Sequence, residues 1–269
     1  IAVTEFLACA GVGIRELNLV RQAASDVKAG GLARACAAGR LLVLVLSDVI
    51  GDDLDVIASG PCMPPAPTTP TDACAQPGMW TTPGGCRVQH VLVGGNGTAV
   101  AAAEAAARRA GYQIAPGTSP SEASAEAVGA RLAADAAELL AAARRDGRPR
   151  ALIAGGEATV TVPVDHGRGG RNQQTVVAAI EHFHRADGEW PAGLLIASVG
   201  TDGEDGPTDA AGGSADAGVV AAIGRLQLEV PRALVRCDAY PLLDAAGGLV
   251  RTGPTGTNVA DLRLVLARP

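Results

Sequence analysis

From His90 onward, short apolar runs alternate with amphipathic stretches, and that alternation leaves few folds open. "HVLVG" feeds "GNGTAVAAAEAAARRAG" through a Gly-Asn turn, a strand leading into a helix. "YQIAP" reads as a short strand, and residues 121–145 as a long Ala-rich helix with Ser121 as its N-cap. "RALIAGG" is a buried strand, and "TVTVPV" alternates as a second strand would. Residues 173–184 read as a helix, "GLLIASVG" as a strand, and 215–226 and 240–246 as helices, before "VADLRLVLA" closes the chain as a strand. Upstream, residues 15–37 have helical spacing broken at Gly30-Gly31, and "LLVLVL" (41–46) has the unbroken apolar run of a strand buried on both faces. Residues 61–83 hold seven prolines and no periodicity, which suits an exposed connection between domains. Strands alternating with helices predict an α/β fold with mostly parallel sheets.

Composition narrows the function classes. The chain has 269 residues, enough for one or two domains. It is 48% hydrophobic but only 2% aromatic, so its core must be filled by Leu, Val, Ile and Ala. The net charge of −6 is dispersed and no basic stripe appears, which argues against nucleic acid and for a small-molecule partner. No apolar run approaches the roughly 20 residues of a membrane span. The six cysteines form no CxxC pair; the even spacing of Cys62, Cys74 and Cys86 is a weak metal signal, and free reduced thiols in a cytoplasmic protein are expected. The chain opens on Ile rather than Met, so further N-terminal sequence is expected beyond it.

Chemistry concentrates in polar, Gly-rich loops after apolar strands, at 47–53, 94–98, 155–157 and 200–209. If the sheet is parallel, such loops share one rim. "GRGGRNQQ" (167–174) sets Arg168 and Arg171 around two glycines ahead of a helix, a pattern suited to an anion; a glycine turn with solvated arginines competes with it. Glu157 follows a strand and a Gly pair, placed either to hold a metal or orient a hydroxyl, or simply as a surface residue. "SVGTDGEDGPTDAAGG" puts Thr201, Asp202, Asp205 and Asp209 at a strand end. Magnesium uses one or two carboxylates plus substrate phosphates, but Asp and Gly also make turns, and Asp209 suits a helix cap. Ser47 and Asp48 sit at another strand end, and "GPTGTNVADL" supplies Asn258 in a loop suited to a polar ligand. No GxxxxGK[ST], GxSxG or dinucleotide GxGxxG is present. Paired arginines and carboxylates at strand ends are what phosphoryl transfer requires.

"GGEATVTV", "GRGGRNQ", "TDGEDGPTDAAGG" and "TGPTGTNVADL" occur in this order and resemble the motifs of the MOFRL-type glycerate kinases, the class II D-glycerate 2-kinases. "ELNLVRQAASDVKAGGLA" and "LSDVIGDDLDVIASGP" are similar to upstream motifs of the same family. The resemblance implies a two-domain architecture: residues 1–89 as the C-terminal part of a Rossmann-like domain plus connection, incomplete at its start, and 90–269 as a MOFRL-type α/β domain. It implies ATP- and Mg2+-dependent phosphorylation of D-glycerate to 2-phosphoglycerate in the cleft between the domains. Motif matching assigns Arg171, Arg168 and Asp202 to catalysis, with Asp202 and Asp205 as metal ligands. Glu157, Asn172, Asp48, Ser47, Lys28, Thr201 and Asn258 are assigned to substrate or nucleotide. The family's Gly-rich stretch with an essential lysine is not matched, and Lys28 belongs to a different motif. The implied partner is therefore D-glycerate, together with a missing N-terminal portion or a homo-oligomer, and the chain alone is open to being inactive. A non-catalytic glycerate- or nucleotide-binding module is the alternative, and a hydroxypyruvate reductase ranks below it for want of a dinucleotide fingerprint.

Overall fold

The computed structural model describes residues 6, 12–64, 78–117, 120–186 and 189–269. It divides into two compact units, Ile1–Gly95 and Asn96–Pro269.

In the first unit, helices α1 (Ile14–Ala23) and α2 (Gly31–Ala35) precede strand β1 (Arg40–Leu46). β1 pairs in parallel with β3 (Arg87–Gly94), and β2 (Met79–Thr81) pairs antiparallel on the other edge of β3. The unit boundary therefore falls after Gly95 rather than before His90, because "HVLVG" is the second half of β3 and hydrogen-bonds to β1. β2 also gives order to part of the proline-rich stretch; residues 65–77 lie outside the described residues. Leu41 and Val43 pack with Ala33, Cys62, Val88 and Trp80. Among the described residues β1 is covered on one face only: Leu42, Leu44 and Leu46, on the alternate side, are exposed.

The second unit holds a six-stranded sheet in the order β4-β5-β9-β6-β7-β8. Its elements are α3 (Asn96–Arg109), β4 (Gln113–Ile114), α4 (Ala125–Asp146), β5 (Arg150–Gly156), α5 (Arg171–Ala186), β6 (Leu194–Gly200), β7 (Gly212–Ala215), α6 (Ala217–Arg225), α7 (Val230–Val235), α8 (Ala239–Ala246), β8 (Leu249–Val250) and β9 (Asp261–Ala267). The fold class is α/β, but this sheet is not mostly parallel. Only β4 and β5 pair in parallel, and β9 lies antiparallel between β5 and β6. The closing strand inserts at the centre because its alternate residues Val265 and Ala267 are fully buried against the helical layer, which a solvated edge would not allow. The core is aliphatic, built from residues such as Leu132, Leu140, Val176, Ile180, Ile196, Ile223 and Leu243.

Two local readings change. The N-cap of α4 is Ser124, whose Oγ accepts from Ala127 N at 3.2 Å, while Ser121 instead bridges Gly156. "TVTVPV" makes a single bridge, Thr159 to Ser124, and is otherwise irregular, with Val162 and Val164 exposed. Alternation alone does not make a strand without a neighbour to pair with, and Pro163 offers no N–H to one. α7, β7 and β8 have no counterpart in the sequence reading.

Candidate functional site

The antiparallel insertion of β9 still produces a shared rim. β5 and β6 both run antiparallel to β9, so their C-terminal ends lie beside its N-terminus, and Gly156 and Gly200 both register with Asp261. Glu157 follows one of those strand ends, and Thr201 and Asp202 follow the other. Helix α5 points its first residue, Arg171, into this rim.

Arg171 is held by two carboxylates. Its Nε and Nη2 donate to Asp261 Oδ2 and Oδ1, both at 2.9 Å, and its Nη1 donates to Glu157 Oε1 at 2.8 Å. Asp261 is fully buried, whereas the Arg171 side chain remains 31% exposed. Burial works against the charge on Arg171, but the hydrogen bonds and charge of Asp261, then Glu157, carry its pKa above the ordinary arginine value. Three of its five N–H donors are engaged, which leaves one on each terminal nitrogen for a ligand. A cavity of about 470 Å³ opens beside it, lined among others by Arg171, Asp202, Glu204, Gly170, Gln174 and His166.

Asp205 has a different place from the one its motif suggested. Its carboxylate is 2% exposed and accepts from Asn172 N at 3.0 Å, Gln173 N at 2.9 Å and Asn172 Nδ2 at 3.2 Å. It occupies the N-terminus of α5, satisfying backbone donors that a helix otherwise leaves open. Burial pushes its pKa up, while those donors and the Asn172 amide pull the other way. Asp205 is therefore the anion at this helix end: the protein fills with its own carboxylate the position expected for an external one, and although Asp205 also lines the cavity, both of its oxygens are already engaged by the first turn of α5. Close packing enforces the arrangement, since a side chain at Gly170 would overlap Asp205.

The remaining sequence candidates divide by location. Asn172 is buried and locked, accepting from Ser198 Oγ at 2.5 Å, so it braces α5 against β6 rather than facing the cavity. Arg168 does not line the cavity; its guanidinium stacks on the Tyr240 ring, 4.1 Å from the centroid, and its backbone N–H donates to Asp238. Asp202 faces the cavity, with Oδ1 accepting from Glu204 N at 3.1 Å. Thr201 Oγ1 donates to Ala260 O and accepts from Val259 N, and Asn258 Oδ1 accepts from Ala260 N, so both shape the loop before β9. Asp209 is no helix cap; it accepts from Tyr240 Oη at 2.6 Å and from Arg251. Lys28, Ser47 and Asp48 belong to the first unit. There Lys28 Nζ donates to Ala58 O, buried Ser47 closes a turn with Val49, and Asp48 is exposed.

Three residues that sequence reasoning passed over matter here. Asp261 is the chief partner of Arg171. Asn96, at the start of α3, donates from Nδ2 to Val259 O and Asp261 O and pins the beginning of β9; a side chain at Gly155 would collide with it. Arg263 lies 2% exposed on the same face of β9 as Asp261. The signal for two of them was available: in "DLRLVLA" the alternate residues Asp, Arg, Val and Ala share a face, so a charged pair lies on the side the apolar residues bury.

Magnesium fits the hard oxygen donors here in only one mode. Among the described residues no group of three or more His, Cys, Asp or Glu is placed to hold a metal. Asp202, with Glu204 beside it, instead suits an ion bound partly by substrate phosphates. Cys36, Cys62, Cys86 and Cys237 are free thiols.

Comparison with known proteins agrees with the motif order. Residues 150–261 match the MOFRL family and residues 1–82 match a domain of unknown function (DUF4147). A D-glycerate 2-kinase of Thermotoga maritima is 34% identical over 97% of this chain and 64% of its own length. A glycerate kinase of Macaca fascicularis is 32% identical over 99% of this chain and 82% of its own. A crystal structure of glycerate kinase from Thermotoga maritima superposes with a TM-score of 0.83 at 33% identity, over 99% of this chain and 66% of that one. The chain thus spans about two thirds of the length of the first of these relatives.

Proposed function

We propose that this chain, which belongs to the glycerate kinase family, transfers the γ-phosphoryl group of ATP to D-glycerate, giving 2-phosphoglycerate. The observation that carries the reading is Arg171, a guanidinium fixed in orientation by Asp261 and Glu157 with two donors left toward a cavity of about 470 Å³.

Phosphoryl transfer asks the protein for position and for charge where the transferring oxygens accumulate it. Arg171 meets both needs: the bidentate grip of Asp261 fixes the plane of the guanidinium before substrate arrives, so little reorganisation remains at the moment of reaction. Asp202 would hold the magnesium ion, which supplies charge neutralisation on the phosphates. Asp205 acts from behind by fixing the first turn of α5, which carries Arg171. Glu204 and His166 line the same cavity and would contact substrate or nucleotide only peripherally, while Arg168, held on Tyr240, would reach a ligand only by leaving that ring. The substrate- or nucleotide-binding roles that motif matching assigns to Lys28, Ser47 and Asp48 are proposed for the first unit by itself. No helix among the described residues is long and apolar enough to cross a membrane.

The test is turnover of ATP with D-glycerate and Mg2+ by the purified chain, with the product identified by phosphorus NMR. A 2-phosphorylated product, lost by orders of magnitude in Arg171→Ala with the fold intact, supports the kinase. Binding of glycerate or ATP with no product would replace it with the binding-module reading.

A further inference from the structure

We infer that Arg263 is a positioning residue for the proposed phosphoryl-transfer site, acting through the backbone that carries Glu157; the inference rests on the reading of Arg171 given above. Arg263 is 2% exposed, yet no carboxylate hydrogen-bonds to it among the described residues. Its Nη1 donates to Gly155 O at 3.1 Å and its Nη2 to Ser121 O at 3.2 Å. Its Nε has no hydrogen-bond partner among the described residues, and Arg263 helps line a cavity of about 210 Å³ between α4 and the sheet.

A buried guanidinium paired only with carbonyls is costly, and burial drives its pKa down, with the charge of Asp261 opposing and that of Arg171 adding to the effect. A residue serving packing alone would be better served by an apolar side chain of similar volume. What only the fork of an arginine supplies is simultaneous hold on two separate backbone segments. Ser121 O, one of the two oxygens it grips, also accepts from Glu157 N at 3.0 Å, and Ser121 bridges Gly156. Gly155 O, the other, lies two residues before Glu157. The segment 155–157 is thus tied down from below by Arg263 and Ser121, and its Glu157 carboxylate then orients Nη1 of Arg171.

The charge arrangement agrees. Arg171 alone faces Glu157 and Asp261, a set that would be net negative beside a cavity meant for an anionic substrate. Arg263, on the same strand face as Asp261, offsets one of those negative charges without reaching the cavity of Arg171 itself.

Arg263→Lys keeps the charge but cannot hold both carbonyls. The expected result is a fall in kcat of about 10- to 100-fold with KM for glycerate within about threefold, since misplacement by around 1 Å costs on that scale. Arg263→Lys combined with Glu157→Gln should be no slower than Glu157→Gln alone, because both act through one carboxylate. Additive losses in the double variant, or full activity in Arg263→Lys, would overturn the inference. A readout independent of turnover separates it from the kinase reading: in 1H–15N spectra of the full chain, Arg263→Lys should shift the Glu157 amide and the Arg171 Nε–H signals. Unchanged signals in a folded variant overturn the positioning role even if the wild type is an active kinase. Shifted signals in a protein without kinase activity would retain the Arg263–Glu157–Arg171 linkage and remove only its catalytic purpose.

Discussion

Replacing Asp205 with Ala is the most informative single perturbation, because the sequence motif and the structure assign that carboxylate opposite jobs. The substitution takes one acceptor from Asn172 N, Gln173 N and Asn172 Nδ2, all buried. Loss of an N-cap acceptor costs about 0.5–2 kcal/mol. Each buried donor stranded without a partner costs about 1–3 kcal/mol. These contributions overlap, so the expected loss is about 3–5 kcal/mol at neutral pH. For a unit the size of Asn96–Pro269, ~1 kcal/mol moves Tm by about 2–4 °C, so the transition should fall by about 6–20 °C. Asp205→Asn keeps the shape and one acceptor but turns an amide N–H toward another donor, and should lose roughly half as much. Urea denaturation and thermal melts without magnesium measure both. A metal ligand would behave differently, leaving stability without magnesium nearly unchanged while raising the magnesium concentration needed for turnover. A loss in Asp205→Ala below about 1 kcal/mol, with such a shift in magnesium requirement, would refute the capping argument.

Asp261→Asn strips the buried carboxylate from Arg171; the expected cost is about 2–4 kcal/mol, reduced from the fully buried case because Arg171 is 31% exposed, and kcat should fall with it. Differential scanning calorimetry and initial rates check the pair, and a variant as stable and active as wild type would contradict the geometry. Gly155→Ala places a methyl where Asn96 already sits and should destabilise the second unit, whereas Gly155→Ala combined with Asn96→Ala should recover part of the loss. Asp209 has its pKa lowered, first by the Tyr240 hydroxyl. The wild type's stability advantage over Asp209→Asn should thus be present above the ordinary aspartate range of about pH 4 and disappear as pH falls through the lowered value. Urea titrations from pH 2 to 7 read it directly, and an advantage that grew in acid would show the sign to be wrong.

Local patterns were enough for the class of fold and for part of the site. Short apolar runs and Ala-rich amphipathic stretches placed β5, β6, α4 and α5 to within a few residues, because they depend on side chains near one another in the chain. Glu157 and Asp202 were legible for a similar reason, because polar residues directly after apolar strands end up where strands end, and Arg171 because it stands in a Gly-rich stretch that opens a helix. What the sequence could not express was pairing. That β9 enters the centre of the sheet antiparallel depends on backbone hydrogen bonds to segments more than sixty residues away, and that choice alone sets Asp261 against Arg171. The same distance separates "GEDG" from its true role. An aspartate among glycines looks alike as metal ligand, turn or cap, and the approach of α5 to within hydrogen-bonding reach made Asp205 a cap. Residue type determined which chemistry was available to this chain, and only the tertiary contacts, formed by desolvation and long-range pairing, decided which partner each charge would face.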